Sequence, residues 1–258
     1  MILSIFAVYC IVLMVKTNDR IKIWSDSITL WDDVIEKHPD VYKAWYKRGQ
    51  AKMDDLQDYY AAIKDFNEAI RLKPGFYDAY INRGLAFTSL NNQELAMADY
   101  ETAIQIKPFF YMGYNNRGAT KANLKKFNDA IEDFSRAIEL APRIASSYIN
   151  RAHARASLND FEGAIQDYNK AIEVDPFYYP AYYFRGLIYV HQRKPVNALA
   201  DFDKCLELNP NYSEALFNRA IVRMQLKQQK SACEDFEKAT ELSYQNGKNR
   251  DIEYLWSE

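Results

Sequence analysis

The sequence predicts an all-α fold, a right-handed α-solenoid of two-helix units, and three observations lead there. Six prolines recur at Pro39, Pro74, Pro108, Pro142, Pro176 and Pro210, the first gap 35 residues and the other four 34 each. A fixed period of this length marks an array of copies of one supersecondary unit. Each full copy also has an Arg followed by a small residue in its first half and an Ala-x-x-Asp-aromatic run in its second, as in Arg83-Gly84 with Ala96-Met97-Ala98-Asp99-Tyr100. Finally, small residues and aromatics recur at spacings of three, four, seven and eight, the stripe of an amphipathic helix and not the alternation of a strand.

Taken in order, the chain opens on Met1–Val15, apolar except for Ser4 and followed by Lys16. Residues 1–16 are expected to form a membrane-anchor helix. At about 1.5 Å per residue the run covers about 22 Å of a hydrocarbon core of about 30 Å, so a buried capping helix is the competing reading. No basic segment precedes it, which disfavours a secretory signal, and the Ala7-Val8-Tyr9 before Cys10 disfavours a lipoprotein cleavage site. Residues 20–41 read as a half repeat, a second helix without its own first helix. Residues 42–243 hold six full units, whose second helices are expected near residues 60–72, 94–106, 128–140, 162–174, 196–208 and 230–242. Polar pairs such as Asn91-Asn92 and Asn159-Asp160 break each unit into two helices, and the closing proline stops the second. The apolar residue two places later (Phe76, Phe110, Ile144, Tyr178, Tyr212) is expected to staple the start of the next helix. The first unit has one extra residue, assigned to its turn at 53–59. Beyond the repeats, residues 244–258 are expected to cap the array through Ile252, Leu255 and Trp256, after a helix stop at Gly247.

The units resemble the tetratricopeptide repeat. In the second unit Tyr80, Gly84, Phe87, Ala96, Tyr100, Ala103 and Pro108 fall on repeat positions 4, 8, 11, 20, 24, 27 and 32 of that family. Two departures stand out: position 11 is Lys52, Lys121, Arg155 or Arg223 in four units, and position 7 is Arg in all six. The resemblance implies that the first helices line a concave peptide-binding surface. Position 6 there holds Lys47, Asn82, Asn116, Asn150, Phe184 and Asn218. Its asparagines form a ladder that resembles those of the O-GlcNAc transferases, since an amide offers a donor and an acceptor to the backbone of an extended chain. Tyr46, Ile81, Asn115, Ile149, Tyr183 and Phe217 at position 5, with His153 at position 9, complete the candidate groove. The Lys and Arg clamp of the chaperone-binding members is absent from these positions, which disfavours an acidic tail as ligand. Residues 1–50 also resemble the junction in polytopic membrane proteins of the transmembrane-and-tetratricopeptide O-mannosyltransferase type.

Catalytic and metal chemistry find no support. Cys10, Cys205 and Cys233 lack metal or disulfide spacing, and His38, His153 and His191 are isolated. No phosphate loop or nucleophile elbow occurs. A net charge of −2 with interspersed signs gives no basic face for nucleic acid. The expectation is therefore a non-enzymatic, membrane-anchored scaffold without metal or cofactor that binds a protein or extended peptide and no small-molecule substrate. The alternative is the acceptor-recognition tail of a polytopic glycosyltransferase. Lys16, Arg20 and Lys22 favour a cytoplasmic array, while the junction's resemblance favours the periplasmic or lumenal side. An Arg at the normally apolar position 7 needs a partner for its charge. The Asp at position 23 of every unit (Asp65, Asp99, Asp133, Asp167, Asp201, Asp235) is the expected one, within a unit or between neighbours.

Overall fold

A computed structural model describes residues 26–245. The expected anchor and the terminal cap with Ile252, Leu255 and Trp256 lie outside the described residues. Among those described there are thirteen α-helices and no strand: α1 (Ser27–Lys37), α2 (Tyr42–Leu56), α3 (Tyr59–Leu72), α4 (Tyr77–Ser89), α5 (Gln93–Ile106), α6 (Tyr111–Asn123), α7 (Phe127–Leu140), α8 (Ala145–Ser157), α9 (Phe161–Val174), α10 (Tyr179–His191), α11 (Pro195–Leu208), α12 (Ser213–Gln225) and α13 (Gln229–Gln245). None of these is long and apolar enough to cross a membrane. The second helices start one residue earlier than the sequence reading placed them, and the last runs on to Gln245. The described residues form two compact halves that meet in sequence between Thr120 and Lys121, so the third repeat is divided between them.

Helix ends follow local chemistry. Asp26, Asp58, Asn92 and Asp160 cap α1, α3, α5 and α9 by accepting from free backbone N–H groups of the first turn. Pro195 opens α11, where a missing N–H costs nothing. At the other end the helices stop two residues before each proline. Lys73, Lys107 and Asn209 leave the helical region at φ −140°, −135° and −137°. The proline therefore acts through the residue before it, whose helical conformation the ring disfavours. The extra residue of the first repeat does not enlarge a turn: α2 has 15 residues against 13 in α4, and its turn is shorter.

Within each repeat the turn passes through a left-handed residue: Gln57, Asn91, Lys125, Asn159, Arg193 and Lys227 lie at φ 52–62°. Asn tolerates this region; the long side chains do so at a cost. Replacing Arg193 and Lys227 with Gly is expected to stabilise the protein by about 0.5–1 kcal/mol each. A melting curve of the double variant checks it, and an unchanged or lower midpoint contradicts it.

The core is built from the small and aromatic positions. Ala62, Ala96, Ala130, Ala164 and Ala198 are fully buried, as are Phe66, Tyr100, Phe134, Tyr168 and Phe202 at position 24 to within about 1%. A small residue at position 8 lets the two helices close: a Cβ on Gly49, Gly84 or Gly186 would lie 2.8, 2.6 or 2.7 Å from the ring of Phe66, Tyr100 or Phe202. Cys205 is buried as a small core residue, and burial pushes its thiol up to about 12. Neighbouring repeats are joined by rings reaching backward. Trp45 Nε1 donates to the carbonyl of Pro39 at 2.8 Å, and the Tyr148 and Tyr182 hydroxyls donate to those of Pro142 and Pro176 at 3.2 Å each. The expected staples also turn backward. Phe76 sits edge-on to Tyr42 and Tyr46, Phe110 to Tyr77, and Tyr212 to Tyr179 and Tyr183, with centroids 4.9–5.2 Å apart. Each of these residues packs on the first helix of the preceding repeat, and Phe110 also meets Tyr111 of its own first turn at 6.1 Å.

The charged pairs close within a repeat. Arg48, Arg83, Arg151, Arg185 and Arg219 each send Nε and Nη2 to both oxygens of Asp65, Asp99, Asp167, Asp201 and Asp235, at 2.5–2.9 Å. The carboxylates are buried, so this two-pronged pairing offsets their lost hydration. The remaining nitrogen, Nη1, reaches the preceding second helix: Asp32, Asn67, Ser135, Asn169 or Asp203, at 2.5–3.0 Å. The departures at position 11 now have a reason. Lys52, Arg155 and Arg223 place a second cation 2.8–2.9 Å from Asp65, Asp167 and Asp235, and Lys121 lies 2.8 Å from Asp133. Where position 11 is aromatic, at Phe87 and Tyr189, Asp99 and Asp201 meet one guanidinium. Burial raises both of these carboxyls above the ordinary 3.8, against the pull of Arg83 and Arg185.

Candidate peptide-binding groove

The surface assigned to ligand is carried by the first helices, whose orientation the Arg–Asp pairs fix. In the N-terminal half, Tyr46 and Lys47 come from α2, Ile81 and Asn82 from α4, and Asn115 and Asn116 from α6. Lys47 is exposed and its ammonium holds Gln50 at 3.0 Å. Asn82, Asn115 and Asn116 are half-buried. Ile81, only 4% exposed, belongs to the core around Tyr100. In the C-terminal half α8 supplies Ile149, Asn150 and His153, α10 supplies Tyr183 and Phe184, and α12 supplies Phe217 and Asn218. Ile149 and Tyr183, 5% and 8% exposed, are again core residues. At these three places the position-5 side chain packs into the core, while Tyr46 and Phe217 at the same repeat position stay partly exposed.

Two rungs of the asparagine ladder are bonded within the protein. Asn82 Nδ2 donates to the Tyr46 hydroxyl at 3.0 Å, and Asn218 Nδ2 donates to the Tyr183 hydroxyl at 3.2 Å and to the Glu214 carbonyl at 2.8 Å. At these two rungs the donor is already used inside the protein, tying position 6 to position 5 of the repeat before. Burial raises the Tyr46 hydroxyl to about 12, helped by the nearby Asp78, so it stays protonated across the physiological range. The sequence held a signal for this: wherever a Tyr stands at position 5, an Asn follows at position 6 of the next repeat.

His153 lies edge-on to Phe184 at 4.4 Å and to Tyr168 at 5.8 Å, and its Nε2 is buried without a hydrogen-bond partner. Burial alone lowers its pKa from 6.5. The folded protein therefore binds this proton less readily than the unfolded chain does. The stability linked to neutral His153 is complete above about pH 6.5 and is lost as pH falls through the lower folded value. A His153→Phe variant is expected to lose less stability than the parent between about pH 7.5 and 5, measured by urea denaturation. Parallel pH profiles would contradict this. Among the described residues no group of His, Cys, Asp and Glu is arranged to hold a metal ion.

Comparison with known proteins agrees with this architecture. Tetratricopeptide repeat profiles match residues 42–76, 77–110, 111–144, 145–178, 179–212 and 202–234. Among solved structures, MamA is similar at 22% identity and TM-score 0.59, over 64% of this chain and 96% of that one. YrrB, described as a tetratricopeptide protein with an unusual peptide-binding site, is similar at 18% identity and TM-score 0.56, over 72% and 95%. PilF of Pseudomonas aeruginosa is similar at 15% and TM-score 0.69, over 75% and 88%. These identities speak to the fold alone. No curated protein matches the sequence. With its repeats matched from residue 42 to residue 234, the chain belongs to the tetratricopeptide repeat family.

Proposed function

We propose that this protein is a non-enzymatic interaction scaffold that holds an extended peptide or a partner protein on the face of its first helices. The observation that carries the reading is the composition of that face. Half-buried aromatic and aliphatic side chains such as Phe184 and Phe217 alternate with amides, Asn82, Asn116, Asn150 and Asn218, while the charged residues at positions 7, 11 and 23 are engaged with one another. An apolar strip with polar punctuation is the usual make-up of a protein-binding surface. The relative YrrB, named for its peptide-binding site, supports the same direction. Panning the full-length protein against displayed random peptides tests the reading. Replacing Asn82, Asn116 and Asn150 with Ala is expected to weaken the recovered binders, while the melting temperature changes little because a lost hydrogen bond costs about 1 kcal/mol. No enrichment, or binders indifferent to the triple variant, would overturn it.

We further propose that the N-terminal run Met1–Val15 attaches the scaffold to a membrane. Its near-continuous apolar composition supports this. Deleting residues 1–16 is expected to move the protein from the membrane pellet to the soluble fraction, and an unchanged distribution would contradict the anchor.

A further inference from the structure

The first-helix face of the C-terminal half differs in chemistry from that of the N-terminal half. Repeat positions 2, 5, 6, 9, 12 and 13 are those the tetratricopeptide resemblance assigns to the ligand face; across them α8, α10 and α12 carry no Lys or Arg, and the one carboxylate, Glu214, accepts from Ser213 Oγ at 3.0 Å. The same positions in α2 and α4 include Lys43, Lys47, Asp54 and Asp78. In place of charge, the C-terminal face presents Phe184, Leu187, Val190, Phe217, Ile221 and Met224, all partly exposed, with Met224 at 46%. Among them stands Asn218. A carbonyl only accepts, so the bond to the Glu214 carbonyl fixes which side of the amide faces the helix. Asn218 reaches both partners through Nδ2, which leaves Oδ1, an acceptor, as the polar atom the side chain offers to a ligand.

We propose that this face selects an uncharged extended peptide with bulky apolar side chains, whose backbone N–H is received by Asn218 Oδ1. The inference rests on the scaffold reading above and adds the class of ligand. An extended chain turns alternate side chains to one side about every 7 Å, so one row enters the apolar face while backbone N–H groups meet fixed acceptors. An acidic side chain on that row would lose its hydration and find an oxygen in return. A basic one would lose hydration against carbon.

The test uses the full-length protein and three labelled, end-blocked peptides with one central proline to prevent self-association. They alternate leucine with serine, with glutamate or with lysine. Anisotropy titrations are expected to show the serine peptide bound at least tenfold more tightly than either charged one. Met224→Lys, at an exposed site, should weaken the serine peptide at least fivefold and narrow its lead over the glutamate peptide. Asn218→Leu should weaken it as well, with the Met224 variant deciding if Asn218→Leu lowers the melting point. A glutamate or lysine peptide bound as tightly as the serine peptide would overturn the neutral-ligand inference and leave the scaffold reading standing. Serine-peptide affinity unmoved by Met224→Lys would place the ligand elsewhere and overturn it too. Binding of none of the three, together with failed panning, would overturn both.

Discussion

Replacing Asp167 with Asn should destabilise the protein by about 3–5 kcal/mol, the usual cost of removing one partner from a buried ion pair. Asp167 receives the fork of Arg151 and a further bond from Arg155 at 2.9 Å, so its loss takes a buried carboxylate from two guanidinium groups at once. Asp99→Asn should cost less, because only Arg83 is stranded and burial already works against that carboxylate. The Asp99 pKa is raised in the fold, so the stability tied to its protonated form is present below about pH 3.8 and is lost as pH rises through the folded value. Urea titrations of both variants near neutral pH check the ranking. Equal losses, or a larger loss at Asp99, would show that the second cation contributes nothing.

The second large effect is expected at Phe202. Its ring is fully buried against Gly186, and Phe202→Ala should cost about 3–5 kcal/mol through lost transfer energy and the cavity left behind. Gly186→Val alone should cost about 1–3 kcal/mol, since a Cβ there lies 2.7 Å from Phe202 Cε1. The double variant should be less destabilised than the sum of the two, because the added methyl groups occupy part of the vacated ring volume. Strict additivity in a double-mutant cycle would show that the two positions do not share space.

Much of this molecule was legible in its sequence, and the reasons are local. The 34-residue proline period placed the second helices to within a residue at their starts, since each closing proline disfavours helical backbone at the residue before it. The Arg–Asp pairs were legible because a charge at an apolar position demands a partner, and only one acid recurs in register with it. What was missed lies between helices. The cations at position 11 read as departures because nothing in a single helix shows that they share a carboxylate with position 7. Ile81, Ile149 and Tyr183 read as surface because a helical wheel has one apolar stripe. In an array that stripe is divided between a ligand face and a neighbouring repeat. The amide donors of Asn82 and Asn218 were hidden for the same reason, their tyrosine partners lying 36 and 35 residues away.

The links between repeats also give the array a polarity. Arg48 reaches back to Asp32, Arg185 to Asn169 and Arg219 to Asp203, and Asn82, Asn218, Tyr148 and Tyr182 reach back in the same sense. A repeat is thus a donor to the one before it and an acceptor for the one after it. Truncation from the two ends is therefore not equivalent. Shortening the chain from its C-terminal side returns acceptors such as the half-exposed Asp203 to water, which satisfies them at little cost. Shortening it from the N-terminal side uncovers donors instead, among them the third nitrogen of the Arg48 guanidinium, whose acceptor Asp32 lies on the helix before it. Each edge therefore exposes one kind of group, acceptors where the chain is eroded from its C-terminal side and donors where it is eroded from its N-terminal side, like a zipper whose teeth all lean one way.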